Sequence, residues 1–158
     1  MTDTNISRYP VPDLNDLPED LKNFIVTINE KTGFVPNVFL ALAHRPHELR
    51  AFMAYHDAVM ERDGGLSKAD REMIVVATSS DNNCQYCVVA HGAILRIRAK
   101  NPLIADQVAT NHKKADISDR ERAMLDFAIK VSRDSRSIDD MDYENLRSHG
   151  FSADDIWD

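Results

Sequence analysis

The sequence predicts an all-α, multi-helix fold of about seven or eight helices, and three observations carry that expectation. Apolar residues recur at i, i+3, i+4 and i+7, the spacing that lines one face of a helix. A serine followed three residues later by an acid opens four segments: Ser67/Asp70, Ser118/Glu121, Ser137/Asp140 and Ser152/Asp155. In such a start the hydroxyl and the carboxylate satisfy backbone N–H groups that a first helical turn leaves unpaired. Finally, no Asn-Gly or Asp-Gly turn lies between alternating apolar residues; Asp63-Gly64 falls between two helical patterns and reads as a helix end.

The elements follow in order. Residues 1–17 are polar and acidic, with Pro10 and Pro12, and read as an extended arm. Leu21, Phe24, Ile25 and Ile28 form an amphipathic helix that stops at Gly33. The apolar piece 36–42 suits a helical turn or two. Pro46 fits the first turn of a helix whose Leu49, Phe52, Met53, His56, Val59 and Met60 make one stripe, ended by Gly64-Gly65. Ser67 opens the next helix, and the polar run 78–83 permits a break over 79–83. The β-branched cluster Ile74-Val75-Val76 is too short to overturn the helix. Asp81, Asn82 and Asn83 are expected to cap the helix that follows, and Asn101-Pro102 marks a further start. Leu125, Ala128, Ile129 and Ser132 continue the stripe after Ser118. At the end, Ser152 opens a helix with acids in its first turn, where the dipole favours them, but residue 158 arrives before two turns are complete. The expectation is a longer natural protein, with an apolar C-terminal helix still to come.

At 158 residues a single domain over 1–158 is expected, one that buries about 70 % of its unfolded surface without a metal or disulfide staple. The charge balance of 19 basic against 26 acidic residues gives −7, which disfavours nucleic acid or an anionic membrane as partner. The N-terminus lacks the basic-then-apolar order of a secretory signal, and no run of about 20 apolar residues is present. A cytoplasmic setting with reduced thiols is the resulting expectation. The 2 cysteines cannot build a disulfide framework, so their spacing must be read as chemistry or as chance.

Chemistry is the better reading. Cys84, Cys87 and His91 stand at i, i+3 and i+7, within about 60° of one another on a helix. Helical i, i+3 Cα atoms lie about 5–5.5 Å apart, inside the disulfide range. His91, one turn beyond Cys87, is placed to exchange a proton with its sulfur. A thiol of pKa about 8.5 is only a few per cent thiolate at neutral pH, and lowering that value by about two units takes roughly 2.7 kcal/mol. A helix N-terminus with a neighbouring imidazolium can supply about that much. Glu72 is a candidate base or orienter for His91. Twelve residues along one straight helix would separate it by about 18 Å from Cys84, so the two helices must fold back and pack side by side.

The pattern Glu72, twelve residues, Cys84-x-x-Cys87, three residues, His91 resembles that of the alkylhydroperoxidase AhpD-like proteins of the carboxymuconolactone decarboxylase superfamily. The likeness covers nearly the whole chain: 33–39 (GFVPNVF), 83–87 (NCQYC) and 146–151 (LRSHGF) are similar to the peroxidase-related subgroup. The resemblance implies a helical fold, a homo-oligomer (a trimer or hexamer, with a dimer also considered) and thiol-dependent reduction of hydroperoxides without cofactor or metal. It implies Cys87 as the peroxidatic thiol, Cys84 as the resolving one, and His91 with Glu72 as a proton relay. An external dithiol or disulfide reductase would complete the cycle. Tyr86 departs from the histidine that the alkylhydroperoxidases carry between their cysteines. Helix-dipole reasoning alone favours Cys84 as the thiolate, since it lies nearer the N-terminus.

Other readings compete. Two buried structural thiols would also fit a stripe in which Cys84, Cys87, His91, Leu95 and Arg98 form a core face. Zinc is disfavoured because ligands from one helix converge poorly on a tetrahedral centre. A general dithiol–disulfide oxidoreductase and a non-enzymatic redox-sensing oligomer are the functional alternatives. Lactone decarboxylation is disfavoured because the members that perform it lack the cysteine pair. His44 and His47 read as surface or capping residues, His56 as a core or pocket-lining histidine, and His112 and His149 as loop or helix-end cations. Arg96, Arg98 and Lys100 also read as a solvated helix end.

Overall fold

A computed structural model describes residues 6–158, so the first part of the expected arm, 1–5, lies outside the described residues. Among the described residues nine α-helices occur and no strand. The all-α expectation holds, and the count exceeds it because the short helices over 37–42 and 153–157 are helices in their own right. The chain divides into two compact units, 6–58 and 59–158.

In the first unit the arm is not extended throughout. Asp13 accepts the Asn15 N–H at 2.8 Å and starts a 3-10 turn, Leu14–Asp16. Helix α1 spans Glu19–Thr32 and ends at Gly33, whose φ of 78° is the left-handed conformation that glycine adopts without penalty. Helices α2 (Asn37–Leu42) and α3 (Pro46–His56) follow, with Pro46 at the first position of α3. Leu17, Leu21, Ile25, Ala43 and Leu49 form this unit's buried cluster, and Phe24 meets Phe39 edge to face at 5.2 Å. The helix expected to run from Pro46 to the glycine pair changes winding at Asp57–Glu61, a π-helical turn. A π turn holds one more residue than an α turn, so the apolar stripe read on a single α-helical wheel does not continue in phase.

The second unit carries α4 (Lys68–Asp81), α5 (Gln85–Ala99), α6 (Ile104–Asn111), α7 (Asp119–Asp134), α8 (Asp140–Ser148) and α9 (Ala153–Trp157). Ser67, Ser118 and Ser152 each cap a helix as expected, with the acid three residues on bonding back to the serine N–H. The fourth start is displaced. Ser137 closes a 3-10 turn and donates its hydroxyl to the Asp134 carbonyl, while Asp139 caps α8 with Asp142 as its reciprocal partner. Aspartate accepts N–H bonds as well as serine does, and the alternative box lies two residues on. The core packs Met73, Val76 and Ala77 of α4 with Leu95 of α5, Val108 of α6 and Leu125 of α7. No described helix is long and apolar enough to cross a membrane.

Candidate active site

The site begins at the reversal between α4 and α5. Helix α4 runs on to Asp81, further than the break expected from residue 79. Asn83 adopts φ 57°, and the Cys84 N–H reaches the Ser79 carbonyl at 2.8 Å while the Asn83 N–H reaches that of Ser80 at 3.0 Å. This is a left-handed helix stop, a conformation that asparagine tolerates better than most side chains. Asp81, Asn82 and Asn83 therefore close α4 and do not cap α5. The cap of α5 is Cys84 itself, whose sulfur accepts the Cys87 N–H at 3.4 Å. Asp81 instead pairs with Arg133 of α7, which holds its carboxyl below the usual aspartate range.

The tight reversal lays α4 and α5 side by side, the most extensive helix pairing in the unit. Cys84 and Cys87 are joined as a disulfide, with Cα atoms 5.4 Å apart and both residues half-buried. Across the helix pair the His91 Nδ1–H donates to Glu72 Oε2 at 2.8 Å. Glu72 is 1 % exposed and His91 28 % exposed, so the carboxylate is the buried end of the pair and the imidazole its solvent-facing end. With Nδ1 engaged, Nε2 is the ring nitrogen free to exchange a proton. The structure thus joins Cys84 to Cys87 and His91 to Glu72, and His91 follows Cys87 by four residues on α5. The cavities of about 610 and 490 Å³ in this unit are lined by other residues, the first by charged groups such as His112 and Arg133, the second by Phe127, Tyr143 and Trp157.

The partners of Arg98 are not legible in the sequence. Arg98, which fitted both the core-face stripe and a solvated helix end, has a side chain only 21 % exposed and follows the first of these. Its Nη1 stands 3.4 Å from Glu72 Oε1, and its Nη2 bonds Glu61 of the π turn. Glu61 also accepts from Lys68 Nζ at 2.6 Å. Lys68 and then Arg98 hold the Glu61 carboxyl below the usual glutamate range, against the opposing effect of burial. The signal for the partial burial of Arg98 was present in the spacing, since it follows His91 by seven residues and shares its face.

A Cys-x-x-Cys disulfide at the start of α5 and a carboxylate–histidine pair between α4 and α5 thus sit on an all-helical frame. The carboxymuconolactone decarboxylase family model matches residues 46–109, the stretch that holds all four residues. A crystal structure described as an alkylhydroperoxidase AhpD core, an uncharacterized peroxidase-related protein from Ralstonia eutropha JMP134, is 63 % identical. It superposes with a TM-score of 0.94, over 97 % of this chain and 80 % of that one. An uncharacterized peroxidase-related protein from Silicibacter sp. TM1040 is 41 % identical, with a TM-score of 0.90 over 96 % of this chain and 78 % of that one. No curated protein matches. The chain belongs to the carboxymuconolactone decarboxylase family, in its AhpD-like, peroxidase-related branch.

Proposed function

We propose that the protein is a thiol-dependent peroxidase that reduces hydrogen peroxide or organic hydroperoxides through a dithiol–disulfide cycle. The observation that carries this reading is the Cys84–Cys87 pair on the face of α5 that His91 shares, with His91 bonded to buried Glu72. In the first step the Cys87 thiolate attacks one oxygen of the O–O bond. That bond breaks, Cys87 becomes a sulfenic acid, and the departing oxygen takes a proton from protonated His91, leaving as water from hydrogen peroxide or as an alcohol from an organic hydroperoxide. Cys84 then attacks the sulfenic sulfur, the S–O bond breaks, and water leaves as the disulfide forms. An external dithiol supplies the two electrons and two protons that restore both thiols, and is itself oxidised. A homo-oligomer in a cytoplasmic setting is part of the same proposal.

The peroxidatic role falls to Cys87 through the family likeness, whereas the helix-cap position of Cys84 favours a thiolate there. Serine replacements separate the two. Reduced Cys84→Ser protein should accumulate a trappable sulfenic acid after one equivalent of peroxide, and Cys87→Ser protein should not. Persistent trapping in Cys87→Ser reverses the assignment. Stopped-flow oxidation of reduced wild-type protein tests the activity: loss of both thiols no faster than that of free cysteine, with either hydrogen peroxide or a bulky hydroperoxide, rejects the peroxidase. Equally slow peroxide loss with rapid reduction of a model disulfide would instead indicate a general dithiol–disulfide oxidoreductase.

A further inference from the structure

We infer that Arg98, braced by Glu61, is a positioning residue that holds the Glu72 carboxylate in register with His91 and so fixes the imidazole in its Nδ1–H form. The inference deepens the reading above and rests on it for its functional meaning, but its geometry stands apart from any peroxide. Five side chains of alternating sign capacity run in series: His91, Glu72, Arg98, Glu61 and Lys68.

Each oxygen of Glu72 has its own partner, His91 on Oε2 and Arg98 on Oε1. A carboxylate held at both oxygens cannot turn about its terminal bond without giving up one of them. The contact with Arg98 is a charge pair more than a hydrogen bond, for at 3.4 Å Nη1 makes no hydrogen bond among the described residues. Its anchorage comes from the other arm of the guanidinium, where Nη2 is taken by Glu61. Glu61 is in turn held by Lys68, in the first turn of the helix that carries Glu72. The brace therefore leaves α4, crosses the π turn and α5, and returns to α4. Glu72 lies too deep for water to replace a lost partner.

The consequence falls on the imidazole. Neutral histidine free in water favours the Nε2–H form, whereas an acceptor fixed at Nδ1 selects the Nδ1–H form and leaves Nε2 to take the proton of a thiol. With Arg98 gone, Oε1 is orphaned and the carboxylate is free to swing away, so the two tautomers mix and thiol reactivity falls. Guanidinium is suited to this place because its two arms engage two carboxylates at once.

The test uses reduced, full-chain protein with 15N-labelled histidine. The His91 nitrogens are read by two-bond 15N–1H correlation and assigned by their loss in His91→Gln, and each thiol is followed by iodoacetamide alkylation and peptide mass spectrometry. Wild-type His91 should be predominantly Nδ1–H. Arg98→Met should show mixed tautomers and roughly five- to tenfold slower alkylation, consistent with a lost charge-assisted partner, and Arg98→Lys should recover part of both. Glu61→Gln, which keeps Arg98 but removes its brace, should shift both readouts in the same direction by less. Folded Arg98→Met with the wild-type tautomer and rate overturns the role. Should Arg98→Met fail to fold, a wild-type tautomer and rate in Glu61→Gln overturns it equally. A tautomer shift in Arg98→Met alongside wild-type protein that consumes no peroxide supports the brace and rejects the peroxidase reading.

Discussion

Single residues in this protein do two jobs at once, and Cys84 and Glu61 are the clearest cases. Cys84 is half of the disulfide and also the cap of α5, so its sulfur is bonded to the Cys87 sulfur and accepts a backbone N–H. Glu61 ends a π turn and anchors Arg98 and Lys68. Because those two cations hold its carboxyl below the usual glutamate value, its contribution to stability is present above that value. The contribution is lost as pH falls through the lowered one. Glu61→Gln should accordingly lose less in melting temperature than wild type on going from about pH 6 to about pH 3. Paired thermal melts at the two pH values check this, and an equal or larger loss in the variant contradicts the pairing. At this scale the sequence made the Cys84–Cys87 pairing and the His91–Glu72 contact legible, because helical spacing puts the cysteines and His91 on one face and a carboxylate suits a histidine that exchanges protons. It hid the Glu61–Arg98 pair, since a contact across 37 residues leaves no local pattern.

Among the elements, helix starts were the most legible features, because a cap is written in residues three apart. Ser67, Ser118 and Ser152 behave as their spacing implies. The failures share a cause: one residue type serves two roles. Asn83 could cap the following helix or stop the preceding one, and its left-handed backbone shows that it does the second. Ser137 and Asp139 both precede an acid by three, and Asp139 takes the cap. The π turn at Asp57–Glu61 has no sequence sign that apolar periodicity can display. Ser118→Ala removes one reciprocal cap from the 16-residue α7, and should lower unfolding stability by about 1 kcal/mol. Urea unfolding would show this as a lower midpoint with an unchanged slope. The same change placed at Ser137, which caps no helix, should have a smaller effect.

For the molecule as a whole, the helical class was legible because the long elements share the α-helical period, and the one β-branched cluster, 74–76, is too short to form a strand pattern. The division into units 6–58 and 59–158 was not, because separate buried clusters are made by distant residues and apolar content alone does not partition them. The candidate site lies wholly within 59–158, whose core includes Leu125, 0 % exposed. Leu125→Ala should cost about 2–5 kcal/mol through lost burial and the cavity left behind. Circular dichroism under denaturant measures that loss, and a change below about 1 kcal/mol would mean that the unit collapses around the gap.

The reversal at Asn83 and Cys84 leaves no slack between α4 and α5: one left-handed residue stops the first helix and the next begins the second. The Cys84 sulfur is bonded to the main chain of α5 through the Cys87 N–H, so a change of state at that sulfur would reach the backbone directly. Under the proposed dithiol cycle, reduction and ionisation of Cys84 would give the Cys87 amide an anionic acceptor in place of a neutral one and would hold the first turn of α5 more firmly. Protection of the Cys87 amide proton, compared between oxidised and reduced protein, would then report which state the sulfurs are in.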